Sequence, residues 1–133
     1  LLRICPRKGF AFGRAFGPAG KLATEGEKVA AAFLQKQGHK ILKRRAKLAG
    51  VEVDLVTRFG AKLVLVEVKT RLADQLALAA GKVNRLKLAR LRRAARVLAK
   101  RLHVAEAAVR LDLVVVCIPS EGDPQVRHYP GIA

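Results

Sequence analysis

An α/β domain built on a mixed sheet is predicted by three features of this sequence. Residues 51–56 and 63–68 are β-branched runs of strand length, and 111–118 is a continuous apolar run of the kind found in strands covered on both sides. Two further segments place apolar residues at helical spacing. The chain has 133 residues, 51% of them hydrophobic, which suits one domain with a sizeable core.

The elements follow in order. Residues 1–23 are rich in Gly and Arg/Lys, with Phe10, Phe12 and Phe16 between them, and read as a flexible basic arm before a domain over 24–133. Thr24 and Glu27 match a capping box, and Ala30, Phe33 and Leu34 follow at helical spacing. Gly38 suits the stop, so the first helix is expected over about 25–37. Residues 39–47 are basic and read as an edge strand whose charges discourage aggregation. The runs 51–56 and 63–68 flank Gly60, a hairpin turn position. Residues 70–82 read as a loop or weak helix closed by Gly81. Over 83–102, Leu88, Leu91, Ala95, Leu98 and Leu102 make one apolar face. The strand 111–118, a turn, and a last short strand over 125–129 complete the order α-β-β-β-α-β.

The charge narrows the partners. Lys and Arg number 27 against 10 Asp and Glu, a formal net charge of +17 and a pI near 11.2. Such a surplus usually serves a polyanion, with nucleic acid foremost and an acidic protein or membrane surface as competitors. Five Phe, one Tyr and no Trp disfavour a broad stacking platform for single strands. Lys82, Arg85, Arg92, Arg93, Arg96 and Lys100 fall in one sector of the second helix, opposite its apolar face, with Lys87 beside that face. No acid stands between Gln75 and Glu106. A solvated outer face normally mixes signs, so the stripe is expected to contact phosphates without regard to sequence. Lys87 either reaches substrate phosphate or snorkels at the helix edge. Cys5 and Cys117 are far apart and read as free thiols of a reducing compartment, the cytoplasm. No apolar run is long enough to span a membrane, and residues 1–6 are too short for a signal-peptide core.

Three acids sit inside the strands. With Gly60 and Ala61 as the central pair of the turn, Asp54 faces Glu67 and Glu52 faces Lys69, all four projecting from one face. Opposed Cβ atoms lie about 5 Å apart, so the two carboxylates repel unless a cation lies between them. Asp54 and Glu67, with the Val68 carbonyl, supply the oxygen donors that Mg²⁺ or Mn²⁺ prefers. Lys69 is placed to stabilise charge on a phosphorane-like transition state or to position the attacking water. The competing reading is a Glu52–Lys69 cross-strand ion pair, with Asp54 and Glu67 paired to surface cations. Asp112 opens a buried strand and reads as a structural partner of Arg110 or of a loop amide. His39, His103 and His128 have no metal-ligand spacing.

Asp54 followed by Glu67, Val68 and Lys69 resembles the D…(D/E)xK signature of the restriction-endonuclease-like nucleases. Gly26 and Glu27 at a helix start, Glu52 to Leu55, Val66 to Arg71, Lys87, Ala94, Ala95, and Arg110 to Asp112 extend the likeness. Together they resemble the small bacterial YraN-like family of predicted nucleases over about residues 24–133. Where that family usually has Gly-Glu-Ile-Asp, here Val51 precedes Glu52 and Gly50 lies one earlier. The resemblance implies a restriction-endonuclease-like core and a kinship with archaeal Holliday-junction resolvases. It also implies a metal-dependent endonuclease acting on DNA, branched DNA included, more than on RNA. Asp54, Glu67, Lys69, Glu52 and Glu27 would form its catalytic set, and Arg71 would join Lys87 and the stripe in holding nucleic acid. For Glu27 the capping box with Thr24 stands as the competing role. A junction resolvase would be a homodimer. The alternative is a nucleic-acid-binding protein with the same fold and no turnover.

Overall fold

The computed structural model describes residues 21–72 and 85–132. The arm through residue 20, Lys82 and the segment after Leu72 lie outside the described residues.

Helix α1 spans Lys21–Lys36 and buries Ala30, Ala31 and Leu34. It begins a turn earlier than the Thr24–Glu27 pattern predicts, so Thr24 is helical and the capping box is absent. Arg45 claims both side chains instead, its Nη2 donating to Thr24 Oγ1 at 2.7 Å and its Nε to Glu27 Oε2 at 3.0 Å. The stop is as predicted. The amide of Gly38 donates to the Gln35 carbonyl and that of His39 to the Leu34 carbonyl, at 3.1 and 2.9 Å. This pair of bonds, with Gly38 at φ +97°, is a Schellman motif.

Strands β1 (Lys40–Leu48), β2 (Val51–Phe59) and β3 (Lys62–Leu72) form an antiparallel meander. The segment expected as loop from residue 70 is strand as far as Leu72. Helix α2 (Arg85–Leu102) and a short 3₁₀ turn (Glu106–Ala108) lead to β4 (Val109–Ile118), which runs parallel to β3. Strand β5 (Gln125–Tyr129) closes the sheet antiparallel to β4, giving the order β1-β2-β3-β4-β5.

Two separate cores flank the sheet. Ala30, Ala31 and Leu34 of α1 pack with Leu55, Val64, Val66, Val114 and Val116. Leu91, Ala94, Ala95 and Leu98 of α2 pack with Val53, Val56, Leu63, Leu65 and Leu111 on the other face. The central strands are therefore buried on both sides, which is why β3 and β4 read as unbroken apolar runs. This is a three-layer α/β/α arrangement consistent with a restriction-endonuclease-like core. No described helix is long and apolar enough to cross a membrane.

The β2–β3 register is the predicted one, from Phe59↔Lys62 to Leu55↔Val66. Strand β2 then departs from strict alternation. Val51, Val53 and Val56 all belong to the α2-side core, while Leu55 belongs to the α1 side. The break falls at Asp54. Across from it, Arg45 has φ +51° and drops out of the ladder between Arg44↔Leu55 and Ala46↔Val53.

Candidate metal centre and nucleic-acid face

The hairpin ladder stops at Leu55↔Val66, one step short of Asp54 and Glu67. There a side chain replaces the strand bond, for Asp54 Oδ2 accepts the Val68 amide at 2.8 Å. In an extended strand the N–H and C=O of one residue point toward the same neighbour, so the Val68 carbonyl faces this gap too. Glu67 is only 6% exposed. Its Oε1 lies 3.3 Å from Lys69 Nζ. Its Oε2 is buried and has no hydrogen-bond partner among the described residues. Lys87 Nζ lies 3.8 Å from that oxygen, too far for a hydrogen bond. Lys87, reaching over from α2, donates to the Glu52 carbonyl at 2.8 Å.

Burial pushes the Asp54 carboxyl up to about 7. The Glu67 charge adds to this and Glu27 contributes a smaller push, while the Val68 amide and Lys87 pull the other way. A carboxyl raised by burial and by its own neighbours is a group whose ionisation calls for a cation. The donors gathered here are all oxygens, so the residues fit a hard divalent ion such as Mg²⁺ or Mn²⁺.

Glu27 reaches the rim of this site through a close helix–strand contact. A Cβ on Gly26 would collide with Thr70 Oγ1, so only glycine lets α1 press onto the end of β3. Glu27 is held there by Arg45, with the two side chains 23% and 13% exposed on the Arg and Glu sides. Glu52 departs from expectation. It lies between Val51 and Val53, which both face the α2-side core, so its exposed carboxylate projects from the other face. The Glu52–Lys69 ion pair of the competing reading is not formed among the described residues, and Lys69 pairs with Glu67 instead. The alternation break at Asp54 is the reason.

A cavity of about 250 Å³ lies beside the site, lined by Gly50, Val51, Glu52, Lys87 and Arg90. Arg85, Arg92, Arg93, Arg96 and Lys100 are all exposed along α2, whose sequence holds no acid. Arg92 and Arg96 also line a cavity of about 210 Å³ with Glu106 and Gly131. Arg71 turns back on its own strand, donating from Nη1 to the Thr70 carbonyl at 2.9 Å.

A second polar cluster lies on the α1 side. Asp112 is fully buried, and its Oδ1 accepts from Arg110 Nε at 2.7 Å and from the Gly131 amide at 3.1 Å. Oδ2 meets Arg110 Nη2 at 2.8 Å and His128 Nε2 at 2.7 Å. Burial alone would raise this carboxyl, but the bonds from Arg110, His128 and Gly131 outweigh it and hold it below its ordinary value. Both partners expected from sequence, Arg110 and a loop amide, are thus present. His39 stands close by, its Nδ1 2.7 Å from Thr57 Oγ1. One ligand atom from each of His39, Asp112 and His128 lies within 4.8 Å of the others, so this group could hold a metal ion. Sequence spacing concealed it, because the three residues come from the α1–β1 junction, β4 and β5. An acid inside an otherwise apolar strand was the one visible signal.

Comparison with known proteins shows the family. The model of "Uncharacterised protein family UPF0102" matches residues 26–116. A UPF0102 protein of Beutenbergia cavernae is 44% identical over 109 residues, covering 80% of this chain and 91% of the relative. One of Frankia alni is 45% identical over 107 residues, 80% of this chain and 88% of the relative. One of Anaeromyxobacter dehalogenans is 39% identical over 109 residues, 82% and 81% of the two chains. With its matched segment running from the Gly26 contact through most of β4, this chain belongs to the UPF0102 family.

Proposed function

We propose that the protein is a divalent-metal-dependent endonuclease that hydrolyses phosphodiesters in DNA. The observation that carries this reading is the buried Glu67 Oε2, without a hydrogen-bond partner among the described residues, beside Asp54, whose own carboxyl is raised to about 7. Asp54, Glu67 and the Val68 carbonyl would hold Mg²⁺ or Mn²⁺. Such an ion supplies an acidified water and polarises the phosphodiester. Lys69 Nζ, 3.3 Å from Glu67 Oε1, offers a fixed positive charge to the developing phosphorane and to the attacking water. Glu27 stands at the rim as a supporting carboxylate, whereas Glu52, whose carboxylate projects from the other face, lends only its main-chain carbonyl to Lys87. The exposed arginines of α2 grip backbone phosphates, and Lys87 and Arg90 line the cavity between that helix and the carboxylates. A branched substrate would call for a symmetric dimer. The buried free thiol of Cys117 accords with a reducing compartment such as the cytoplasm.

A second reading is a binding module without turnover. The two lysines that already face Glu67 favour it, since they supply positive charge without a metal. Cleavage of linear, flapped and four-way-junction DNA with Mn²⁺ separates the two. The nuclease reading predicts that Asp54→Asn abolishes cleavage and spares DNA affinity. Undiminished cleavage by this variant would reject the assignment. DNA binding with no divalent-dependent cleavage of any substrate would favour the binding module.

A further inference from the structure

The cluster under α1 has features that a set of structural ion pairs does not need. The Schellman motif at the end of α1 delivers His39, β4 delivers Asp112 and β5 delivers His128. Each group is oriented from outside. Thr57 Oγ1 engages His39 Nδ1 at 2.7 Å, and the imidazole stacks on Phe59 with centroids 4.5 Å apart. Arg110 and the Gly131 amide fix the Asp112 carboxylate. Phe33 of α1 packs edge-on to His128 at 6.2 Å. Partners of this kind, which set ring orientation and carboxylate tilt, are what metal ligands require.

We propose that His39, Asp112 and His128 form a second metal site, suited to Zn²⁺ or a similar transition-metal ion and separate from the hairpin carboxylates. Two imidazole nitrogens and one carboxylate oxygen are a donor set for borderline transition metals, not for Mg²⁺. An ion held there would replace the direct contact between His128 Nε2 and Asp112 Oδ2, now 2.7 Å apart. Arg110 donates to both oxygens of the carboxylate, and its charge weakens cation affinity there. The two sites use opposite faces of the sheet. Asp112 alternates with Val114 and Val116 of the α1-side core, whereas Glu67 alternates with Leu63 and Leu65 of the α2-side core. An ion here ties the α1–β1 junction to β4 and the edge strand β5.

The test uses the untagged full chain in excess Mg²⁺, titrated with Co²⁺ and then Zn²⁺. One equivalent of Co²⁺ is expected to give a visible absorption band typical of a low-coordinate nitrogen and oxygen site. Zn²⁺ is expected to abolish the band and raise Tm. Asp54→Asn should leave both effects intact, which separates this site from the proposed nuclease centre. His39→Gln and His128→Gln, with folding checked by far-UV circular dichroism, should each lose them. If His128→Gln fails to fold, His39→Gln decides. Absence of the band in the native chain, its survival in a folded His39→Gln variant, or its loss in Asp54→Asn would overturn the proposal.

Discussion

Lys87 Nζ stands 3.8 Å from Glu67 Oε2 while donating to the Glu52 carbonyl at 2.8 Å, so one side chain joins the basic helix to the carboxylates. Its ammonium occupies the approach to the oxygen that lacks a hydrogen-bond partner. Lys87→Met therefore removes a competing positive charge. The expected result is tighter Mn²⁺ binding by several-fold, with apo stability lowered by about 1 kcal/mol through the lost charge-assisted bond. Calorimetry and urea denaturation read the two effects. Weaker Mn²⁺ binding would make Lys87 a helper of the metal and not its rival.

Asp54 and Asp112 contribute to pH dependence with opposite signs. The Asp54 pKa is raised from 3.8 to about 7, so the native state binds the extra proton. Its contribution is most favourable below about pH 4 and is lost as pH rises through 7. Asp112 is lowered, so its contribution is present above the ordinary carboxyl pKa and is lost as pH falls through its native value. In chelator, Asp54→Asn should be more stable than the native chain at pH 8 by on the order of 1–3 kcal/mol, and equal to it near pH 4. Asn can still accept the Val68 amide, so the gain isolates the charge. Urea denaturation at both pH values checks this, and a variant less stable at pH 8 would refute it.

Gly26→Ala should destabilise the fold by about 1–3 kcal/mol, because the added Cβ meets Thr70 on β3. The ordinary helix gain from Gly to Ala, about 1 kcal/mol, is too small to offset it. Mn²⁺ binding should weaken as well, since the contact sets where α1 and Glu27 meet the site. Thr70→Ala in the same chain should recover part of the loss. A Tm that rises in Gly26→Ala would show that α1 is free to shift.

The α2 stripe predicts a salt effect. Replacing Arg92, Arg93 and Arg96 with Ala should weaken DNA binding uniformly across sequences. The slope of log K against log salt should become less negative by about 2–3 if all three meet phosphates. The exposed positions imply little change in Tm. An unchanged slope would move the nucleic-acid face away from α2.

Much of this was legible in the sequence, and the exceptions share a cause. The apolar runs announced β3 and β4, and the turn at Gly60 set the register that brings Asp54 toward Glu67. Each of these depends on neighbours along the chain. Thr24 and Glu27 misled because their capping pattern is local, while Arg45 on β1 holds both side chains. Glu52 was assigned the wrong face because period-two counting assumes a regular strand, and β2 breaks its alternation at Asp54. The His39–Asp112–His128 group showed only its acid in the sequence, being assembled by the pairing of β4 with β5 and the end of α1.

The proposed activity depends on a divalent ion at the hairpin carboxylates, and Mn²⁺ calorimetry tests this most directly. The native chain, Asp54→Asn and Glu67→Gln would be titrated at pH 8, each preloaded with Zn²⁺ so that the His39 group does not contribute. One Mn²⁺ is expected on the native chain and none on either variant. Equal Mn²⁺ binding by all three chains, or none by the native chain even with DNA present, would contradict it.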